Sequence, residues 1–150
     1  MKRFNIRVYG IAINHKNQLL VSDELIKNIR FTKFPGGGLE WGEGMREGLK
    51  REFMEEMNQP IEVLDHFYTT DYFQVSAFNP EDQLISVYFK VNLLHPIQFE
   101  IKSKPFDFPD TTGNPLEVQR WVSIDDLKPE QFKWPVDQLV AKKLAAELEW

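Results

Sequence analysis

The segment from Gly36 to Asn58 constrains the fold more than any other part of the sequence. Three consecutive glycines, Gly36 to Gly38, precede a run with one apolar residue at every fourth position. These apolar residues are Met45, Leu49, Phe53 and Met57. Because residues four apart share one face of a helix, the run predicts a helix over Met45–Met57. The glycines predict a turn between a strand and this helix.

Segments rich in β-branched and aromatic residues flank this helix and predict strands. The predicted strands cover 3–14, 18–22, 29–34, 61–68, 72–78, 84–93 and 117–123. The segments 72–78 and 84–93 are predicted to pair as a hairpin around Asn79-Pro80-Glu81-Asp82. A second helix is predicted over 135–149, and the Pro-rich stretch 103–115 predicts a long loop. Strands that alternate with two helices indicate an α/β or α+β sandwich with a mixed sheet, formed by residues 1–150 as a single domain.

Composition excludes several classes of site and partner. The chain has no cysteine, which rules out disulfides, thiolate nucleophiles and zinc–thiolate sites and fits a reducing cytoplasm. The formal net charge of −5 argues against a surface that binds nucleic acid or a polybasic membrane anchor. No segment approaches the roughly 18 apolar residues of a membrane span. We therefore expect a soluble cytoplasmic protein whose partner is a small ligand.

Three carboxylates crowd one face of the predicted helix. Glu52, Glu55 and Glu56 share one arc of the helical wheel, beside the apolar row. The i, i+4 pair Glu52 and Glu56 repel each other, and all three lie in the last turns, where the helix dipole disfavours negative charge. A divalent cation such as Mg²⁺, which prefers oxygen ligands and also binds phosphates, would remove these penalties. The alternative is a solvated helix face, with Glu47–Arg51 and Arg51–Glu55 as ordinary i, i+4 ion pairs.

The glycines preceding the helix fit the same chemistry. Without Cβ atoms, the backbone of Gly36, Gly37 and Gly38 can approach a metal ion or a phosphate and offer a carbonyl or an N–H group. The alternative for this segment is a simple strand-to-helix connection.

The joint spacing of these residues resembles the Nudix box, the signature of the Nudix hydrolases. The matching residues are Gly37, Glu43, Arg51, Glu52, Phe53, Glu55 and Glu56. The preceding Phe34-Pro35-Gly36-Gly37 and the later segment Trp121–Leu127 also resemble the family's sequences. The resemblance implies a Nudix-like α/β/α sandwich.

Asn58 and Gln59 depart from the family's pattern, which has a glycine and an aliphatic residue there. Asn is the residue that best replaces glycine in the left-handed conformation after a helix, and Pro60 prevents the helix from continuing. We therefore expect helix termination to be preserved, and Gln59 to lose a core contact.

The resemblance implies an enzyme that hydrolyses a nucleoside diphosphate linked to another group and uses Mg²⁺, with Mn²⁺ as a substitute. The implied metal ligands are Glu52, Glu56 and Glu55, together with a backbone carbonyl of Gly36 or Gly37. Arg51 and Glu43 are implied to pair and to orient the carboxylates. A non-catalytic Nudix-like nucleotide sensor is the alternative, although such domains usually lose box carboxylates that this chain retains.

The general base stays open at this stage. In some relatives it is the carboxylate that matches Glu52, and in others it comes from a downstream segment. Glu117 is the best downstream candidate here, and Arg120 stands where some relatives carry a metal-binding Glu. The weaker candidates are Glu81, Asp82, Glu100 and Asp110.

Substrate contacts are predicted in the glycine segment, from Trp41, Gly37 and Gly38. Trp41, Phe106 and Phe108 are candidates for stacking on a base, and core or loop packing is the alternative for each of them. The implied partner is a small nucleotide-type pyrophosphate, and a homodimer is common among relatives.

Overall fold

The computed structural model describes residues 1–110, 113 and 115–147. Eight strands and two α-helices occur in this part of the chain. They are β1 (Arg3–Ala12), β2 (Gln18–Ile26), β3 (Ile29–Lys33), β4 (Gly36–Gly38), α1 (Met45–Met57), β5 (Ile61–Thr69), β6 (Asp82–Leu93), β7 (Ile101–Lys102), β8 (Leu116–Ser123) and α2 (Pro135–Glu147). Two 3-10 turns, Ile124–Asp126 and Pro129–Gln131, precede α2.

The chain forms two compact units. The first comprises 1–11 and 36–98, and the second comprises 12–35 and the described residues from 99 onward. The first contains a sheet of order β4-β1-β6-β5, and the second a sheet of order β3-β2-β8-β7. In the second sheet β2 pairs antiparallel with β3 and β8, whereas β7 runs parallel to β8. The predicted α+β fold with mixed strands and two helices is confirmed, and assignment to a single domain stays a prediction.

Helix α1 covers the range that its apolar period predicted. Leu49, Phe53 and Met57 are buried, whereas Met45 at the first turn is partly exposed. The Phe53 ring packs over Gly10 of β1, where an added Cβ would lie only 2.8 Å from the ring. Glycine at this position of the strand therefore lets the helix approach the first sheet closely.

The glycine segment is a short strand, so the predicted turn over Gly36–Gly38 is wrong. These residues form β4, in which Gly37 pairs with Val8 of β1. Gly36 has a φ of +148°, and a Cβ there would collide with the carbonyl oxygen of Val8. The missing side chains thus permit a close strand pairing immediately before α1.

The predicted hairpin between 72–78 and 84–93 is present only as one antiparallel bridge, Val75 to Gln83, beside the turn at Asn79–Asp82. The segment 72–78 is not a strand, and β6 pairs along its length with β5. The Ser76 hydroxyl accepts the backbone N–H groups of Phe78 and Asn79, at 3.1 and 3.3 Å. This local bonding satisfies donors that a ladder would use.

The second unit confirms most of the remaining predictions. β2 continues to Ile26, beyond its predicted end at Ser22, and β7 is an additional short strand. The described residues 103–110 contain no helix or strand, and 111, 112 and 114 lie outside the described residues. Helix α2 extends to Glu147, and the last two residues of its predicted range also lie outside.

Aromatic stacking and the buried face of α2 form the core of the second unit. Phe34 and Phe132 stack with ring centroids 4.9 Å apart. The buried face of the helix consists of Val136, Val140, Ala141 and Leu144. No helix in the described part of the chain is both long and apolar enough to cross a membrane.

Candidate active site

Arg51 lies at the centre of the acidic face of α1. Its Nε donates to Glu43 Oε2 at 3.0 Å, and its Nη2 donates to Glu43 Oε1 at 2.7 Å. The same Nη2 also donates to the carbonyl oxygen of Gly38 at 2.9 Å. The predicted pairing of Arg51 with Glu43 is therefore present, and it links the helix to β4.

Three further carboxylates surround the same guanidinium. Arg51 Nη1 lies 3.1 Å from Glu52 Oε1 and 3.2 Å from Glu55 Oε2. Glu40 Oε1 is 3.5 Å from the same nitrogen. One positive charge thus contacts four negative charges, and Glu56 follows directly on the helix. This excess of negative charge is what a cation-binding surface requires.

The electrostatics of this cluster are strongly coupled. The Arg51 hydrogen bonds, aided by the backbone N–H of Glu40, lower the pKa of Glu43 to about 2. The hydrogen bonds that Arg51 donates to the Glu43 carboxylate in turn raise the pKa of Arg51 above its usual value. The Glu52 side chain is only 12% exposed, whereas that of Glu55 is 58% exposed. The cluster therefore extends from a partly buried interior to open solvent.

Gly37 makes close contact with one of these carboxylates. A Cβ at Gly37 would lie 2.5 Å from the carboxyl carbon of Glu52, closer than real Cβ contacts. Only glycine lets the backbone of β4 come so near to the acidic face. This approach fits the expectation that a backbone carbonyl of the glycine segment can join a ligand set.

The donor types fit Mg²⁺, although the carboxylates are arranged around Arg51. Among the described residues, no group of three or more His, Asp or Glu side chains is already positioned to hold a metal ion. Glu52 and Glu55 point their oxygens at Arg51. Both carboxylates lie on adjacent turns of one helix, and a cation bound by them would replace their contact with Arg51.

The two residues that depart from the Nudix-box pattern follow directly after α1, and the structure shows what each of them does there. Asn58 adopts the left-handed conformation with a φ of 52°, and its N–H bonds to the carbonyl of Met54. Gln59 is fully buried, so the expected loss of a core contact is wrong. Its amide donates to the carbonyls of Pro60 and Leu94 and accepts the N–H of Gln98. Hydrogen bonds thus replace apolar packing.

Arg120, which stands where some relatives carry a metal-binding Glu, forms a buried ion pair. Its Nε donates to Asp23 Oδ2 at 2.7 Å, and both side chains are buried. Asp23 also accepts the Thr32 hydroxyl at 2.7 Å and the backbone N–H of Phe106 at 3.0 Å. This buried ion pair was not predicted from the sequence, in which its signal is the acidic pair Asp23-Glu24 inside an otherwise apolar strand.

The other candidates are distributed over both units. Trp41 in the first unit is fully exposed. Glu117 lies on β8 in the second unit, opposite Glu24 of β2. Phe106 and Phe108 pack with ring centroids 6.2 Å apart, and the Arg30 guanidinium lies 4.4 Å from the Phe106 ring centroid. This favours packing for Phe106, and the roles of Trp41 and Glu117 stay predictions.

Two of the weaker base candidates are held in ion pairs. Asp82 accepts Arg3 Nε at 2.7 Å, and this hydrogen bond lowers the pKa of the carboxyl. Glu100 contacts Lys102 Nζ at 3.0 Å. Glu81 and Asp110 lie on exposed surface. None of the four is a stronger candidate than Glu117.

Comparison with known proteins decides the family. The family model of the NUDIX domain matches residues 3–143, nearly the whole chain. The chain belongs to the Nudix family. Members of this family cleave phosphoanhydrides, and this Nudix protein is accordingly a hydrolase that acts on phosphorus-containing acid anhydrides.

Solved structures confirm the Nudix fold. A NUDIX hydrolase from Nitrosomonas europaea superposes with a TM-score of 0.71 at 19% identity, covering 97% of this chain and 90% of that chain. A MutT protein from Methanosarcina mazei Go1 gives 0.70 at 18% identity, covering 99% and 98%. The MutT protein of Staphylococcus aureus 252, a methicillin-resistant strain, gives 0.62 at 24% identity, covering 98% and 99%. A search of curated proteins found no match.

Proposed function

We propose that this Nudix hydrolase is a magnesium-dependent pyrophosphohydrolase. Its substrate would be a nucleoside diphosphate linked to another moiety, such as a further phosphate or a sugar. The observation that carries the proposal is the set of four carboxylates around Arg51, an excess of negative charge on a surface that is only partly exposed. Such a surface is costly unless a cation binds it.

Glu52, Glu55 and Glu56 would hold the ion, with a carbonyl of Gly36 or Gly37 beside them. Bound there, Mg²⁺ would supply charge neutralisation for the anhydride and orientation for the attacking water. Mn²⁺ is expected to substitute, because it also accepts oxygen ligands.

Arg51 and Glu43 act as positioning residues. Arg51 bonds both to Glu43 and to the Gly38 carbonyl, so it fixes the acidic face of α1 relative to β4. A planar guanidinium can make these bonds in fixed directions. The arrangement would hold the carboxylates of α1 beside the glycine backbone of β4.

Hydrolysis forms one bond from the water oxygen to phosphorus and breaks one bond from phosphorus to the bridging oxygen. A carboxylate must accept the proton of the water, and the departing phosphate takes the electron pair of the broken bond. Glu52 and Glu117 remain the two candidates for this base. Trp41, Gly37 and Gly38 are the proposed substrate contacts.

A panel assay tests the proposal. The purified protein is incubated with nucleoside triphosphates, nucleotide sugars, ADP-ribose and dinucleoside polyphosphates, each with Mg²⁺ and with excess EDTA. We expect release of a nucleoside monophosphate from at least one substrate, and none in EDTA. Binding of nucleotides without any turnover would instead indicate the sensor alternative. Location in the cytoplasm and a homodimer stay predictions from the sequence.

A further inference from the structure

The glycines of β4 face two different environments. A Cβ at Gly37 would meet the Glu52 carboxylate, on the side of α1. A Cβ at Gly38 would instead lie 3.6 Å from Arg7 Nη1 of β1. Because successive residues of a strand point to opposite faces of a sheet, this arginine lies on the face that is turned away from α1. One glycine strand thus separates the acidic cluster of α1 from an arginine of the same unit.

Packing requires glycine at two positions of β4 but not at Gly38. A Cβ at Gly36 would collide with the backbone of β1, and one at Gly37 would lie 2.5 Å from the Glu52 carboxylate. At Gly38 the same atom would be in ordinary van der Waals contact with Arg7, and the backbone of Gly38 is not in the left-handed region. Alanine would therefore fit there. Glycine instead keeps the space beside the guanidinium open, as a ligand site requires.

Tyr9 fixes the direction of the Arg7 side chain. Its hydroxyl accepts Arg7 Nε at 2.7 Å, and its ring centroid lies 5.8 Å from Arg7 Cζ. The Tyr9 ring is itself stacked on Tyr88, with the two centroids 5.1 Å apart, and both side chains are buried. Because a phenol is neutral, this contact orients the guanidinium without cancelling its charge.

The acid near Arg7 is bonded to two other residues. Asp82 accepts Arg3 Nε at 2.7 Å and Arg3 Nη2 at 3.2 Å, and Asn5 Nδ2 donates to the same carboxylate at 3.2 Å. The Arg3 hydrogen bond lowers the pKa of Asp82, and the positive charge of Arg7 adds to this effect. Two arginines and one carboxylate thus give this group of side chains a net positive charge.

A cation at this place meets an electrostatic need of the proposed reaction. The chain has a formal net charge of −5, and the acidic cluster of α1 adds a local negative field that repels a pyrophosphate. In the described part of the chain, β4 is the edge strand of its sheet. A substrate that lies along this edge therefore meets both faces of the strand, one with the proposed metal ligands and the other with Arg7.

We propose that Arg7 binds a phosphate of the substrate through its Nη groups, beside Gly38 and on the face of β4 opposite the metal ligands. A guanidinium matches the non-bridging oxygens of a phosphate with paired, directional hydrogen bonds. The inference rests on the proposed function, because this phosphate belongs to the same pyrophosphate. Arg7 then offsets part of the repulsion from the acidic surface, and Gly38 gives the phosphate access to it.

Two substitutions remove this site in independent ways. Arg7→Gln removes the charge, whereas Gly38→Ala keeps the charge and fills the space beside it. With the substrate that the panel assay shows to be hydrolysed fastest, kcat/KM of Arg7→Gln should fall about 10- to 100-fold, as for loss of a hydrogen bond to a charged group. Gly38→Ala should lower kcat/KM about fivefold or more and keep the wild-type melting temperature or raise it.

Lys90→Gln is the matched control variant. Lys90 lies two residues after Tyr88 on β6 and therefore on the same face of the sheet as the Arg7 side chain. Its Nζ lies 5.6 Å from the centroid of the Phe67 ring. The substitution removes the same unit of charge as Arg7→Gln, and we expect kcat/KM to stay at the wild-type value.

Unchanged kcat/KM in both Arg7→Gln and Gly38→Ala would overturn the inference and leave the proposed function intact. An equal loss in Arg7→Gln and Lys90→Gln would also overturn it, because the effect would then come from net charge alone. If Arg7→Gln melts at a lower temperature than the wild type, Gly38→Ala decides: a lower kcat/KM supports the inference, and an unchanged value refutes it.

Binding of inorganic pyrophosphate separates the inference from the proposed function, because it needs no turnover. Isothermal titration calorimetry in Mg²⁺ compares the wild type, Arg7→Gln and Lys90→Gln. We expect the wild type and Lys90→Gln to bind pyrophosphate, and Arg7→Gln to bind it about tenfold more weakly or less. This result supports the inference even if no substrate of the panel is hydrolysed, in which case only the proposed function fails. No binding to the wild type, or equal binding to all three proteins, would refute the inference.

Discussion

Arg51 and Arg120 each contact carboxylates, and their two clusters differ in charge balance and burial. Arg120 pairs with a single acid, Asp23, and the side chains are 11% and 0% exposed. Arg51 contacts four acids, and the Glu55 side chain among them is 58% exposed. A balanced, buried pair serves the fold. An unbalanced, partly exposed cluster keeps negative charge available for a ligand, which is the physical basis of the proposed metal site.

The largest expected effect is on the balanced pair. Asp23→Ala leaves the Arg120 guanidinium buried without its partner, and we expect the free energy of unfolding to fall by about 3–5 kcal/mol. Urea denaturation followed by circular dichroism measures this loss. The double variant Asp23→Leu with Arg120→Met should recover most of it, since it removes both charges together. If the double variant does not recover stability, the Asp23–Arg120 pair contributes more to the fold than the neutralisation of its own two charges.

Substitution of a proposed metal ligand beside the unbalanced cluster should lower activity rather than stability. Glu56→Gln keeps the size of the side chain but removes a proposed metal ligand, so Mg²⁺-dependent turnover should fall about 10²-fold or more. Glu47→Gln on the first turn of the same helix is the matched control and should keep full turnover. Equal activity of the two variants in the phosphate-release assay would refute the metal assignment.

Arg51→Lys tests the positioning role within the same cluster. Lysine keeps the charge but cannot bond Glu43 and the Gly38 carbonyl at once with a planar fork. We expect a 10- to 100-fold loss of kcat or of Mg²⁺ affinity, as for residues that orient metal ligands. A Mg²⁺ titration of kcat separates these two, and a change in KM for the nucleotide alone would contradict a positioning role.

The smallest effect is a pH dependence of stability. The pKa of Glu43 is held at about 2, below its ordinary value of 4.5. The stabilising contribution of the ionised carboxylate is therefore complete above the unfolded pKa and is lost as pH falls towards the folded pKa of about 2. Urea unfolding between pH 6 and 3 should show a steeper loss for the wild type than for Glu43→Gln. If stability falls equally with pH in the two proteins, solvent screens the Glu43–Arg51 pair so strongly that the pair contributes no measurable stability.

The difference between the Arg51 and Arg120 clusters also explains which contacts could be predicted from the sequence. Glu52, Glu55 and Glu56 lie within two turns of one helix, so their common face follows from the helical period alone. Asp23 and Arg120 are 97 positions apart, and only the pairing of β2 with β8 brings them together. Long-range strand pairing cannot be predicted from a local sequence pattern, which is why the ion pair of Arg120 with Asp23 was not predicted.

The wrong strand predictions have related causes. The segment 72–78 has strand-like composition, but the Ser76 hydroxyl accepts the backbone N–H groups of Phe78 and Asn79. β6 pairs with β5 instead. The glycines 36–38 lack any side-chain signal for a strand. Their pairing with β1 depends on the close backbone approach that glycine permits, a property of the assembled sheet and not of the local sequence.

Direct measurement of metal binding tests the central claim. Mn²⁺ binding is followed by electron paramagnetic resonance in the wild type, in Glu52→Gln and in Glu56→Gln, with Glu47→Gln as control. The account predicts that the wild type and Glu47→Gln bind the ion and that both other variants bind it much more weakly. Absence of binding in the wild type with nucleotide present, or equal binding in all four proteins, would contradict it.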